Sequence, residues 1–360
     1  MKKKWRVVAA GAVVVLVAGC GQLGYYLQAA QGQLSLLSAA KPIDTWLSDP
    51  MADEQLKTKL TRVKEIRRFA ADELGLPDNA SYTTYADLGR PYVLWNVVAT
   101  PALSLEPVEW CFPVAGCVKY RGYYNKKEAQ AFADKLRRQG HDVQMDGVPA
   151  YSTLGWFDDP VLSTFINYSD GEMARLVFHE LAHQVVYTKN DSQFNESFAV
   201  AVEEEGLERW VARFGDTEAR RKYANRVKRK QDFVALLLKH RDALEETYAS
   251  AANDAEKRQR KEQIFQSLKH EYELIKTERW NGYEGYDRWF SEPLTNAHLA
   301  SVSTYNDFVP GFRAMLEKEK DFPAFFRAVR QLASLPKDAR HQHLADLGQS
   351  AGPRLAVAEQ

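Results

Sequence analysis

The chain has 360 residues, 45% hydrophobic and 12% aromatic, which is enough apolar material for one large core or two moderate ones and too much for a disordered protein. Lys plus Arg and Asp plus Glu number 48 each, so no net field is present to draw in nucleic acid or an acidic substrate.

Lys2, Lys3, Lys4 and Arg6 precede an apolar run from Val7 to Ala18 that is short for a bilayer span. A basic start and a small-residue end are the marks of an export signal, so residues 1–19 are expected to be removed. Val17-Ala18-Gly19-Cys20 resembles a bacterial lipobox, which implies cleavage before Cys20 and a diacylglycerol on its thiol. Gly21 stands where an Asp would resemble the inner-membrane retention signal. The expected location is therefore the outer membrane of a Gram-negative cell, lipid-anchored and facing the periplasm. An uncleaved N-terminal anchor helix is the alternative.

Residues 20–80 read as a helical segment packed on the core. Tyr25 to Leu37 forms one helix before Pro42, and Asp53 to Leu74 carries Leu56, Leu60, Val63, Ile66 and Phe69 at helical steps. Between Pro91 and Thr164 the pattern turns to strands: Tyr92–Ala99, Val118–Tyr124, Asp142–Val148 and Tyr151–Gly155, with a helix from Lys126 stopped by Gly140. Cys111 and Cys117 flank Pro113 and Gly116, which let the chain double back. An oxidising compartment would close them into a small disulfide loop, with buried thiols as the alternative. Asp158 and Asp159 before Pro160 read as a capped turn, or else as an anchor for a substrate amino group.

The strongest signal is His179-Glu180-Leu181-Ala182-His183. Residues four apart share one face of a helix, so both imidazoles can hold one zinc ion while Glu180 stands beside it as general base for a metal-activated water. Ser169 is the expected N-cap, with Glu172 closing a capping box, and Met173, Leu176, Val177, Leu181 and Val185 give the helix a face to bury. The competing reading is a pair of hydrogen-bonded core histidines. A second helix is expected from Asp191 or Ser192 to about Phe214.

Its opening, Asn195-Glu196-Ser197-Phe198-Ala199, resembles the corresponding motif of gluzincin metallopeptidases, aminopeptidases among them. The resemblance implies Glu196 as third zinc ligand. Twelve residues separate His183 from Glu196, fewer than gluzincins usually have, and by separation alone Glu203 or Glu204 stand nearer the usual place. Otherwise Glu203, Glu204 and Glu205 read as a solvated acidic face or as partners of the histidines.

Tyr223, Val227, Val234, Leu237, Leu238 and Leu244 mark one long helix and Ile264, Phe265, Leu268, Tyr272 and Ile275 another, joined near Ala251–Asp254. Residues 216–280 are thus expected to form a charged helical hairpin with His240 and His270 on its surface. Residues 281–335 continue the catalytic unit as helices. There Tyr305 or His298 is a candidate donor to a developing oxyanion, or simply packs. Residues 336–360 read as a polar, partly disordered tail with His341 and His343.

With the lipobox, the Tyr25-Tyr26-Leu27-Gln28-Ala29 opening and a Gly-Gln-Leu segment make the chain similar to a bacterial family of predicted aminopeptidases that are exported lipoproteins. The expected fold is α+β and helix-rich, with a zincin-like core at 81–215 made of a mixed sheet and the active-site helix, plus the added hairpin. The expected function is zinc-dependent hydrolysis of peptides at the cell envelope, as an aminopeptidase. The alternatives are a zinc endopeptidase and a non-enzymatic zinc-holding lipoprotein for binding or assembly.

Overall fold

Apolar residues at three- and four-residue steps produce a helix-rich α+β fold in the computed structural model, which describes residues 24–112 and 116–351. The export segment 1–19 and Cys20 lie outside the described residues. Helix α1 covers 24–39, and β1 (Lys41–Pro42) and α2 (Ile43–Ser48) lead to α3 (Glu54–Leu74). The Asp53 carboxylate caps α3 by accepting from Leu56 N, and left-handed Gly75 ends it. This helix buries Leu60, Val63, Ile66, Phe69 and Leu74, and each such side chain contributes roughly 1.5–3 kcal/mol.

The single mixed sheet expected ahead of the motif helix is divided. β2 (Thr84–Ala86) pairs antiparallel with β1 and parallel with β8 (Val161–Leu162). β3 (Leu94–Pro101) is the centre of a second, antiparallel sheet, between β6 (Arg121–Tyr123) and β7 (His141–Val148). β4 (Trp110–Phe112) and β5 (Gly116–Val118) form a separate hairpin closed by a Cys111–Cys117 disulfide. Val118–Tyr124 is therefore two short strands and not one. Helix α4 (Lys126–Arg138) covers one face of the β6-β3-β7 sheet, where Trp95, Val97, Ala99 and Val143 meet Ala129, Ala133 and Leu136.

Tyr151–Gly155 is not a strand. Leu154 and Gly155 both have positive φ, and Thr153 N donates to Asp159 Oδ2 at 2.9 Å, so the segment is bent back on itself. Asp159 is buried as that turn's cap, which removes it as an amino-group anchor.

Helices α5 (Asp170–Val185) and α6 (Ser192–Phe214) pack against each other across the short link 186–191. Their closeness depends on Gly206, where an added Cβ would stand 2.8 Å from the Leu74 and Phe178 side chains. Ser169 Oγ accepts from Glu172 N, but the other half of the expected capping box is not made. The Glu172 carboxylate pairs instead with Arg175 and with Arg226 of α7 (Thr217–Ala249).

The charged hairpin is α7 with α8 (Asp254–Glu278), and its core includes α9 (Asp287–Ser291) and part of α10 (Asn296–Asn306). His240 is buried there and not on the surface: its Nδ1–H donates to Leu236 O at 2.9 Å, and its Nε2 lies 3.4 Å from Glu271. Asn296 ties α10 to the sheet, with its N donating to Asp142 Oδ2 and its Nδ2 to the carbonyls of Pro101, Ala102 and Ser104.

Helices α11 (Val309–Glu319), α12 (Phe322–Ala333) and α13 (Lys337–Ala351) complete the core around Phe194, Phe198, Phe312 and Phe325. The stretch read as a polar tail is, through Ala351, the helix α13, and its role is specific. Arg340 Nε donates to Asp191 Oδ2 at 2.7 Å and His341 Nε2 lies 2.8 Å from the same atom, while Asp191 caps α6. Burial alone would raise this carboxyl; the hydrogen bonds from His341 and Arg340 outweigh it and hold it below its ordinary 3.8. A carboxyl depressed on folding stabilises the protein above its unfolded pKa and loses that contribution as pH falls through the folded one. Asp191→Ala is expected to cost about 3–5 kcal/mol at neutral pH, by leaving Arg340 buried and unpaired. Urea unfolding should show that difference shrinking as pH falls below about 4, where the unfolded-state carboxyl protonates first, and on through the depressed folded-state value.

Candidate metal centre

Helix α5 presents His179, Glu180 and His183 away from Phe178, Leu181 and Ala182, which face the core. Helix α6 faces them from its first turns. Asn195 accepts from Thr188 N and donates to Thr188 O, both at 2.8 Å, so it staples the link 186–191 to the helix it starts. That staple makes a twelve-residue separation sufficient, because the chain reverses within six residues. Phe198 anchors the same turn between Phe312 and Phe325.

Three donor atoms converge. His179 Nε2 and His183 Nε2 are 3.2 Å apart, and Glu196 Oε2 is 3.4 Å from the first and 3.6 Å from the second. Donors on one tetrahedral zinc at about 2.0–2.1 Å stand about 3.3 Å from one another, so the set fits that ion without rearrangement. His179, His183 and Glu196 are the one cluster of this kind among the described residues.

Glu203 and Glu204 do other work. Glu203 is 3% exposed and its Oε2 lies 2.9 Å from His179 Nδ1 and 3.0 Å from Arg175 Nη1. With Nδ1–H donating to this carboxylate, Nε2 is the His179 nitrogen that faces the convergence and could ligate a metal once its proton is displaced. Glu204 pairs with Lys230 of α7 and Arg313 of α11, so the hairpin is braced against the helix that carries Glu196. Burial works against charge on His179, and the hydrogen bonds it donates to Glu196 and Glu203 overcome it, raising the imidazolium to about 10. Burial likewise opposes charge on Glu196, but the facing His183 and His179 bring its carboxyl down to about 2. A metal bound by these donors would take the place of a proton. Glu180 is buried beside it, its carboxyl raised by burial against the pull of both histidines.

These groups line a cleft of about 360 Å³ whose walls include Tyr25, Asn96, Phe112, Tyr120, Tyr187 and Tyr305. The Glu196 charge holds the Tyr305 hydroxyl well above 10, and burial followed by Glu196 does the same at Tyr120. Both are O–H donors at neutral pH. His298 does not reach the cleft. Its Nδ1 accepts from Thr295 N at 3.1 Å, its ring meets Trp289 edge-on, and burial lowers it to about 4. The disulfide hairpin supplies Phe112 and Val118 to the wall, and Cys117 N donates to Asn190 Oδ1 at 2.7 Å, next to the α5–α6 link. Cys20 lies outside the described residues.

Tyr120, Tyr187 and Asn96 are cleft residues with no motif of their own, brought together by the sheet and the hairpin. Tyr187 alone stood near a signal, four residues after His183.

A family model described as "Putative aminopeptidase" matches residues 24–344. No curated protein and no solved structure matches the chain.

Proposed function

From the premise that this chain belongs to the "Putative aminopeptidase" family, we propose that it is a zinc-dependent peptidase that removes residues from the amino ends of peptides. The observation that carries the reading is the convergence of His179, His183 and Glu196, with buried Glu180 beside them. Bound there, one zinc ion supplies Lewis acidity to a peptide carbonyl and lowers the pKa of water.

The protein's own residues supply the rest. Glu180, raised by its burial, takes the proton of the attacking water and passes it to the leaving amine. Tyr305 donates its O–H to the carbonyl oxygen as negative charge builds there. Glu203 keeps His179 in one tautomer and one orientation. A scaffold that only held zinc would have no use for a buried carboxylate at this point, which favours chemistry over the non-enzymatic reading. The lipobox ending at Cys20 supports anchoring of this activity by lipid to the outer membrane, facing the periplasm.

Incubation of the full chain with a peptide mixture, read by mass spectrometry with and without chelator, tests the reading. Chelator-sensitive trimming from amino termini is the expected result; internal cuts would make it an endopeptidase, and no cuts would sink it. Tyr305→Phe is expected to lower kcat by roughly a hundredfold with zinc content unchanged, as for loss of one oxyanion donor. Unchanged kcat in that variant would remove Tyr305 from the mechanism.

A further inference from the structure

An aminopeptidase must hold an ammonium group, yet the carboxylates lining the cleft, Glu180 and Glu196, are committed to the metal centre. The β3–β7 register points to another partner. Leu94 pairs with Val148 and Asn96 with Asp146. Leu94, Val148 and Asn96 all line the cleft, while the alternate residues Trp95, Val97, Val143 and Met145 face α4. Directly opposed residues of an antiparallel pair share a face, so Asp146 stands on the cleft side next to Asn96.

Both side chains are unspent. Asn96 Oδ1 is buried and accepts no hydrogen bond, a state that ordinarily costs free energy. Among the described residues none hydrogen-bonds or ion-pairs with the exposed Asp146 carboxylate. Partial desolvation raises its carboxyl to about 6, with Glu292 adding to the rise and Arg288 opposing it, so it is still an anion at neutral pH, and its charge reaches Tyr305 in the cleft wall. Gly122 of β6 leaves room over the amide, since a Cβ there would stand 3.2 Å from Asn96 Oδ1. Arg121 of β6 is paired with Val97 on the α4 face, where its guanidinium is held over the rings of Tyr25 at 3.9 Å and Phe132 at 4.8 Å.

We propose that Asn96 Oδ1 and the Asp146 carboxylate form the subsite that receives a substrate ammonium group. The inference rests on the peptidase reading and gives it the amine recognition that Asp159, used as a turn cap, does not supply. Two sources share this chemistry, the free amino terminus of a peptide and a lysine side chain.

The test is binding to the full-length, zinc-loaded protein, followed by NMR with leucinamide, N-acetyl-leucinamide and N-acetyl-lysinamide, and repeated on Asp146→Asn and Asn96→Leu. Wild type is expected to bind an ammonium-bearing probe roughly tenfold tighter than N-acetyl-leucinamide, the scale of one charge-assisted hydrogen bond. Both variants should lose that preference while keeping their zinc. Preference for leucinamide assigns the subsite to the amino terminus, and preference for N-acetyl-lysinamide assigns it to lysine. Equal binding of all three probes by wild type, or a preference that survives in both variants, overturns the subsite. A protein that shows the preference but cleaves no peptide would leave the subsite standing and overturn the peptidase reading.

Discussion

Glu180→Gln is expected to keep about one zinc per chain and to lose kcat by roughly 100- to 10,000-fold, the range of a general acid–base group. The two parts of the result have separate causes. Glu180 is not among the converging donors, so its loss leaves His179, His183 and Glu196 in place. Gln keeps the shape of Glu and cannot take a proton, so the barrier rises while substrate binding persists and KM changes little. Stability supplies a third readout. The carboxyl is buried and raised, meaning that the fold tolerates its charge at a cost, so the neutral Gln should leave the unfolding free energy unchanged or higher. A Glu180→Gln protein with wild-type kcat would remove the base from the account; one without zinc would show that Glu180 is a ligand.

The second large effect separates Glu196 from Glu203. Glu196→Gln is expected to abolish stoichiometric zinc binding, because it removes one of the three donors that stand 3.2, 3.4 and 3.6 Å apart. Glu203→Gln should weaken zinc by roughly 10- to 100-fold without abolishing it, the usual effect of losing the group that orients a ligating histidine. It should also destabilise the fold, since Arg175 and His179 both depend on that buried carboxylate. The order is the claim. If Glu203→Gln emptied the site and Glu196→Gln left it filled, the assignment of the third ligand would be reversed.

What was legible in the sequence was local. The caps Ser169 and Asp191, the apolar steps of α5 and the four-residue spacing of His179 and His183 all act within a few turns of chain, and both helices start where those residues stand. The resemblance at Asn195–Ala199 named Glu196, and the Asn195–Thr188 staple is the physical reason that a short connection serves. Where structure and sequence pattern differ, the cause is a contact with a residue outside the local pattern. Tyr151–Gly155 has the composition of a strand, and Asp159, reaching back from its own turn, bends it. His240 reads as a surface residue and His341 as part of a polar tail because Glu271 and Asp191 lie far from them in sequence. Glu172 had the spacing of a capping box, but Arg226 of the hairpin competes for it. Glu203 reads from sequence as an alternative ligand, a member of an acidic face or a partner of the histidines; its burial against both Arg175 and His179 follows from how α5 and α6 face each other. The helix-rich α+β class could be read ahead of the structure because it depends on periodicity, whereas the division of the strands into small sheets depends on pairing partners.

On the proposed reading, peptide hydrolysis by this chain depends on one zinc ion held by His179, His183 and Glu196. That dependence is tested most directly by removing metal from the full chain and titrating zinc back while following cleavage of a free-amine peptide. Activity that is lost on removal and returns linearly until about one zinc per chain is the predicted result. Hydrolysis that persists in the metal-free protein, or zinc that binds at one per chain without restoring any cleavage, would contradict it.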